Sequence, residues 1–402
     1  MIVVELNKEK IEFSNIEEFY KWVMKSNEKI ISINSNDAMN LYNFLNYYKK
    51  TKKEFEKNID IVNNSFHNDN DNILVKKAID ELIRMNSDGK YLRALLIALG
   101  YNTFNNNSDN KYLSLALAYE TFQTSILIHD DIIDNADLRR GKITIPKKYS
   151  DDFDKYDKKT NNFESHKKHV ADSLGICIGD LGFYLANKLI VDNYCNEKSL
   201  SKVLKLYNEI VINTINGEII DVILPFNEQY SSKSNSSTDD VMEIYKLKTA
   251  WYSIIGPYLL GMTLASVDDQ KIDIMQDILY NLGIAFQIKD DILGIFGDEK
   301  EVGKTSSDIS EFKQTILYTY LKNNETYLNE LNKYYGKNNL SKEELETVKN
   351  IFIDSGAYQY SIDIMKDLFD KSRNELMKVD FISEESKSIL LGFIYYLDFR
   401  TK

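Results

Sequence analysis

The chain has 402 residues, 43% of them hydrophobic and 12% aromatic, which is enough to bury a large core. A net charge of −12 excludes general nucleic-acid binding. Two cysteines, Cys177 and Cys195, exclude a disulfide framework and point to a reduced, cytoplasmic setting.

From the N-terminus, residues 1–38 read as an extension. The opening Met1-Ile2-Val3-Val4-Glu5-Leu6-Asn7-Lys8 is too polar for a signal peptide and is not Arg-rich like a transit peptide. A short apolar-periodic stretch over 16–23 reads as a docking or dimer-side helix, or as a plain solvated one. Apolar residues at 3–4 spacing then predict helices over 72–100, 112–134, 170–192, 200–222, 240–264, 270–294 and 311–333. Only 3 Pro and 16 Gly interrupt the chain, which favours long helices, and strand-like alternation is scarce. Asn-rich 103–110, Lys- and Asp-rich 147–168 and Ser-rich 227–239 read as loop insertions in one helical domain, 39–402. No run approaches the ~20 apolar residues of a spanning helix, so no transmembrane segment is expected.

Two acidic runs carry the chemistry. One is Asp130-Asp131-Ile132-Ile133-Asp134 and the other Asp290-Asp291-Ile292-Leu293-Gly294, each at the end of an apolar, helix-patterned stretch. Carboxylates placed there are costly unless a cation neutralises them. Positions i and i+4 share a helical face, so Asp130 and Asp134 can converge on one ligand. Hard oxygen donors of this kind suit Mg²⁺. A single such run reads as a solvated helix start, but two with basic residues nearby do not. Those basic residues are Lys90 and Arg93, Arg139 and Arg140, Lys248, Lys304 and Lys313. Carboxylates beside Arg and Lys that can grip phosphate oxygens make a diphosphate site, and no Walker-type glycine loop is present.

This ordered set resembles the trans-isoprenyl diphosphate synthases of the farnesyl and geranylgeranyl type, over roughly residues 40–402. The family's first aspartate-rich motif matches Asp130, Asp131 and Asp134, and its paired arginines match Arg139 and Arg140. Its Gly-Lys-x-x-Arg motif matches Gly89, Lys90 and Arg93. Its Lys-Thr pair matches Lys248 and Thr249. Its Phe-Gln-x-x-Asp-Asp matches Phe286, Gln287, Asp290 and Asp291, and Gln123 also matches. The second run departs from the family at Gly294, where Asp or Asn is usual. Ala94 replaces a common Pro.

The resemblance implies an all-α fold, a large orthogonal helical bundle around a deep central cavity with the acidic runs facing each other at its mouth. It implies a homodimer and about three Mg²⁺. Asp130 and Asp134 would hold two ions and Asp290 the third, with Asp291 and Asp308 acting through water or Lys304. Arg139, Lys248 and Lys304 would grip the allylic diphosphate. Lys90, Arg93, Arg140 and Gln123 would hold isopentenyl diphosphate, and Gly89 and Lys313 would also be substrate-binding residues. Thr249, Gln287 and the Lys248 carbonyl would face the carbocation. Asp221 would support the basic cluster, and Arg400-Thr401-Lys402 would close over isopentenyl diphosphate. Small or aliphatic residues at Ser125 and Ile126, where farnesyl-making members carry aromatics, lower the cavity floor to Phe122 and Tyr119. A helical turn rises about 5.4 Å, close to one isoprene unit, so geranylgeranyl diphosphate with some farnesyl diphosphate is the expected product. A class I terpene cyclase shares the first motif but needs no second diphosphate site. A non-catalytic regulatory subunit would have lost the first motif. A helical scaffold would give no reason for this spacing of Lys and Arg.

Overall fold

The computed structural model describes residues 1–7, 9–26, 28–67, 72–87, 89–105, 109–156, 162–231, 236–297, 307–337 and 340–400. It opens with three short strands, β1 (Ile2–Leu6), β2 (Lys10–Phe13) and β3 (Ile30–Ile33), in the antiparallel order β2-β1-β3. Ile2, Val4 and Leu6 alternate inward along β1, the period-2 pattern of a half-buried strand. The sequence reading missed this sheet because its strands are only four or five residues long. Helix α1 (Ile16–Val23) sits between β2 and β3, capped by Asn15, and buries Phe19, Tyr20 and Val23. Tyr20 packs against Tyr396 and Phe399, so the N-terminal segment lies on the last helix.

The rest is helical. The main elements are α2 (Asn36–Ser65), α3 (Ile73–Asn86), α4 (Leu92–Phe104), α5 (Tyr112–Ile133), α6 (Ile145–Phe153), α7 (Phe163–Tyr194) and α8 (Leu200–Tyr230). A continuous rod follows: α9 (Thr238–Ile244), a wide π-helical stretch (Tyr245–Ile255) and α10 (Gly256–Leu264). Then come α11 (Asp269–Phe296), α12 (Ser307–Ser310), α13 (Ile316–Leu321), α14 (Glu325–Leu331), α15 (Lys342–Asp354), α16 (Ala357–Met377) and α17 (Glu384–Phe399). Between α5 and α6 a small hairpin, β4 (Leu138–Arg139) and β5 (Lys142–Ile143), interrupts the helices.

Several boundaries move. The span 72–100 breaks into α3 and α4, where Tyr91 takes a left-handed φ of 52°. The span 311–333 breaks into short helices. Helix α8 runs on to Tyr230, α6 and the start of α7 occupy both ends of 147–168, and 103–104 end α4, so each expected loop is shorter than read. Helices α2, α15, α16 and α17 went unpredicted. Helix α2 is dense in Asn, Lys and Tyr, yet it buries Leu41, Phe44, Leu45, Phe55 and Ile59 at helical spacing.

Helix α5 is the central element. Almost every side chain from Leu115 to Ser125 is buried. Its closest neighbour is α7, whose Gly175, Gly179 and Gly182 face Ile132, His129 and Ser125. A Cβ at Gly175 would stand 2.8 Å from the Ile132 side chain, and Cβ atoms at Gly179 and Gly182 would collide with His129 and with the Ser125 hydroxyl. Helix α7 is long and apolar enough to cross a membrane by length and composition alone, against the sequence expectation. Here its glycine face is spent on α5.

Gly182→Ala is expected to force α5 and α7 apart and to lower stability by about 1–3 kcal/mol, the usual effect of overpacking. Urea unfolding checks this. Ser125→Gly in the same chain should recover most of the loss.

Candidate active site

The first acidic run closes α5. Asp130 and Asp131 lie in its last turn and Asp134 is the C-cap residue. The chain then turns back through the β4–β5 hairpin, whose two turn residues, Arg140 and Gly141, both have positive φ (53° and 75°). Such two-residue turns match strand twist and tolerate Gly best. The turn carries Arg139 back onto the run. Its Nε donates to Asp131 Oδ1 at 2.6 Å and its Nη2 to Asp130 Oδ2 at 2.5 Å. Burial would lower the guanidinium's pKa, but these two carboxylates hold it above its ordinary value. Asp134 has no such clamp: burial, then the charge of Asp130, push its carboxyl up to about 7.

A second cationic group lies one to three turns back along α5. The Gln123 amide, oriented with its oxygen toward the guanidinium groups, accepts from Arg140 Nη2 and Arg93 Nη1 at 2.9 Å each and donates to Glu120 at 3.1 Å. Arg93 also donates to Ser253 Oγ at 2.7 Å and lies over the Tyr252 ring at 4.2 Å. Gly89 comes close beneath Arg140, and the Lys90 carbonyl accepts from Tyr48 at 2.8 Å. Glu120 was absent from the sequence reading. A carboxylate inside an apolar helix was the available signal. It accepts from the Ala94 N–H at 3.0 Å, and burial raises its pKa.

The second run ends α11. Asp290 is half-exposed and accepts from Arg400, whose guanidinium also lies 4.0 Å over the Phe286 ring. The C-terminal arginine is therefore seated on the second run. Thr401 and Lys402 lie outside the described residues. Asp291, grouped with the metal candidates, is turned inward. It is 4% exposed and accepts from Tyr245 and, at 2.7 Å, from Gln287 Nε2. Gln287 in turn accepts from Thr249 at 2.5 Å. Burial, then Asp308, hold the Asp291 carboxyl well above the usual range, and its two hydrogen bonds tie it to Tyr245 and Gln287. Tyr245 is a second residue missed from the sequence; it also accepts the Ile316 N–H at 2.9 Å.

Two lysines stand between the runs. Lys248 pairs with Asp221 at 2.5 Å and Glu218 at 2.8 Å. Burial would depress it, but Asp221 holds it above its ordinary value, and Asp130 adds to that. Lys313 lies 3.1 Å from Glu311 and 3.7 Å from Asp308. Asp308, Asp221, Glu311 and Asp134 together keep it charged despite burial. Lys248 thus feels Asp130 and Lys313 feels Asp134 of the first run, while Lys313 also pairs with Asp308, whose carboxylate lies against Gly294 of the second run. Lys304 lies outside the described residues.

The four residues read as setting chain length separate into two groups. Tyr119, Phe122, Phe183, Tyr207 and Tyr252 form a buried aromatic cluster, with Phe122 within 5.2–5.8 Å of the other four ring centroids. Phe122 lies about 12 Å below Asp130 along α5. Ser125 instead faces Gly182 of α7, and Ile126 is half-buried against the core. A Phe at 125 would therefore wedge α5 from α7, so Ser125 does not serve as a simple floor position. A cavity of about 450 Å³ lies behind the first run, between Asp131, Pro146 and Ala171, and away from the facing carboxylates.

Among the described residues, no three His, Cys, Asp or Glu side chains converge to hold a metal unaided. Asp130 and Asp134 on one side and Asp290 on the other still fit Mg²⁺, which takes one or two carboxylates and completes its shell with water and phosphate oxygens.

The family model for polyprenyl synthetase matches residues 74–352, more than half of the chain. A geranylfarnesyl diphosphate synthase from Aeropyrum pernix is 28% identical over 319 residues, covering 78% of this chain and 91% of that protein. A geranylgeranyl diphosphate synthase from Sulfolobus acidocaldarius is 29% identical over 308 residues, covering 75% and 82%. Among solved structures, a geranylgeranyl pyrophosphate synthase from Corynebacterium glutamicum, complexed with isoprenyl diphosphate and magnesium, aligns with a TM-score of 0.76 at 25% identity. That match covers 89% of this chain and 99% of the other.

The half-buried Asp134 gives a pH signature. Unfolded, an Asp titrates near 3.9; folded, this one titrates at about 7. Between those values the folded state binds the extra proton, so stability falls as pH rises from about 4 to about 7. In EDTA, Asp134→Asn is expected to melt above the parent chain at about pH 8, with the gap closing toward pH 4. Thermal unfolding across that range checks it, and a gap independent of pH would contradict it.

Proposed function

The chain belongs to the polyprenyl synthetase family and is a trans-prenyltransferase, and we propose that it condenses isopentenyl diphosphate with allylic diphosphates, in the presence of Mg²⁺, to geranylgeranyl diphosphate with some farnesyl diphosphate. The observation that carries this reading is the placement of Lys248 beside Asp130 and of Lys313 between Asp134 and the Asp308 carboxylate that abuts the end of the second run, together with a separate pair of guanidinium groups, Arg93 and Arg140. One anionic pocket with one cationic pocket suits two diphosphates, one held through metal and one held directly. A cyclase would have no use for the second.

In this reading Asp130, Asp134 and Asp290 hold the ions, about three. When bound, Mg²⁺ neutralises the allylic diphosphate and stabilises the charge that gathers as it departs. Arg139, Lys248 and Lys304 grip its oxygens. Arg93, Arg140 and Lys90 hold isopentenyl diphosphate, with Gln123 and Glu120 fixing the two guanidinium planes. Thr249 and Gln287, locked to each other and to Asp291, present fixed dipoles toward the allylic carbon. The C–O bond breaks, the double bond of isopentenyl diphosphate forms the new C–C bond, and the departing diphosphate takes the released proton.

Chain growth in this reading stops at the aromatic cluster, with Phe122 at its centre. Mass analysis of products from C5, C10 and C15 allylic substrates tests this. The expected result is a C20 product, longer products from Phe122→Ala, and none from Asp130→Ala. Diphosphate release without condensation would favour a cyclase.

A homodimer belongs to the same proposal. Helix α8 leaves Ile212, Ile215, Ile219, Val222 and Phe226 exposed at alternating spacings of three and four, the repeat of a helix-packing seam. A stripe of that size in water marks an interaction face. The double variant Ile219→Glu/Phe226→Glu is expected to elute and scatter light as a monomer. A cytoplasmic location is the last part of the reading, supported by two free, exposed cysteines.

A further inference from the structure

The last turn of α3 holds both of the segments that deliver Arg93 and Arg140. Arg84 engages the β4–β5 hairpin twice. Its Nη2 donates to the Ile143 carbonyl at 3.0 Å, and its own carbonyl accepts from Lys142 Nζ at 3.2 Å. Its Nε donates to Glu81 Oε2 at 2.6 Å, and the other Glu81 oxygen lies 3.7 Å from Lys148 on α6, the helix that follows the hairpin. Strand β5 pairs with β4 across the turn that contains Arg140. A guanidinium shared between a carbonyl and a carboxylate fixes direction as well as distance.

Asn86, two residues on, is 4% exposed, and its amide bonds to partners on other helices. Its Nδ2 donates to Asn63 Oδ1 of α2 at 2.9 Å and to Thr121 Oγ1 of α5 at 3.2 Å, while its Oδ1 accepts from Thr124 Oγ1 at 2.9 Å. A carboxamide is tolerated at this depth because both its donors and its acceptor are used. The chain leaves this junction through Ser87, whose hydroxyl accepts from Asn63 at 3.4 Å, and runs on past Gly89 and Lys90 to α4 and Arg93. Neither Arg84 nor Asn86 stands in the motifs read from the sequence.

We propose that Arg84 and Asn86 are positioning residues for isopentenyl diphosphate. Asn86 sets where the segment 89–93 begins, and Arg84 sets where the hairpin turn presents Arg140. One helix end thereby fixes the distance between the two guanidinium groups. Arg139, on the same hairpin, has an independent hold through Asp130 and Asp131. Loosening the end of α3 therefore acts on the isopentenyl diphosphate pocket and spares the allylic one. The inference rests on the reading of Arg93 and Arg140 as that pocket.

Steady-state condensation by the full chain, with each substrate varied in turn, tests it. Arg84→Met keeps an apolar stem without the guanidinium, and Asn86→Asp keeps the shape of the side chain while losing both donors. Each is expected to raise KM for isopentenyl diphosphate about fivefold, with kcat and the allylic KM within about twofold of the parent. Arg84→Lys, which retains a charged donor, should recover part of the loss. Thermal unfolding accompanies every variant, and Arg84→Met, at a half-buried position, decides the matter if Asn86→Asp does not fold. Arg93→Ala and Arg140→Ala are the reference. If they raise KM for isopentenyl diphosphate while Arg84→Met leaves it unchanged, or shifts the allylic KM as much, the positioning role is overturned and the pocket stands. If Arg93→Ala and Arg140→Ala leave that KM at the parent's value, the reading of the pocket itself is overturned.

Discussion

The governing constraint is the concentration of carboxylates at one end of a tightly packed helical bundle. Asp130, Asp131 and Asp134 end α5; Asp290 and Asp291 end α11; Glu218, Asp221, Asp308 and Glu311 crowd in from α8 and the segment after α11. Buried carboxylates are costly unless paired or protonated. Among the described residues, four cations are committed to them: Arg139 to the first run, Arg400 to Asp290, Lys248 to Glu218 and Asp221, Lys313 to Asp308 and Glu311. Where pairing falls short, the carboxyl titrates upward, as Asp134 and Asp291 do.

That balance gives the site its working character. Each acidic run is restrained by a neighbouring guanidinium, so neither assembles three carboxylates around an ion by itself. In the proposed reaction the diphosphate provides the missing oxygens and draws Arg139 and the lysines onto itself. The scaffold is rigid where this exchange needs rigidity. Glycines let α7 lie against α5, and the Thr249–Gln287–Asp291–Tyr245 chain ties the π-helical stretch to α11. Lys248 and Thr249 lie within that stretch, and π-helical turns recur at functional sites.

Much of this was legible in the residues. The acidic runs, Arg139, Arg140, Arg93, Lys248 and Gln287 stand in short motifs, and long apolar helices such as α5 and α11 follow from 3.6-residue periodicity. What stayed hidden depends on tertiary contact. Sequence spacing does not show that Asp291 turns inward to Tyr245, because two adjacent aspartates on a helix point about 100° apart and the fold decides which meets the interior. Ser125 reads, by the resemblance, as a small residue that lowers the cavity floor, yet its contact with Gly182 lies on another helix. Glu120 was overlooked as one polar residue in an apolar run, though it holds the Gln123 amide that receives both Arg93 and Arg140. The N-terminal sheet and α2 were lost to short strands and to a composition heavy in Asn, Lys and Tyr.

The most direct measurement counts Mn²⁺, as a stand-in for Mg²⁺, bound per chain by equilibrium dialysis, with and without inorganic diphosphate. If the two runs form one site that only a diphosphate completes, tight binding of more than one ion should require the diphosphate and vanish when Asp130 or Asp290 becomes Ala. Equally tight binding without diphosphate, or none in its presence, would contradict that picture.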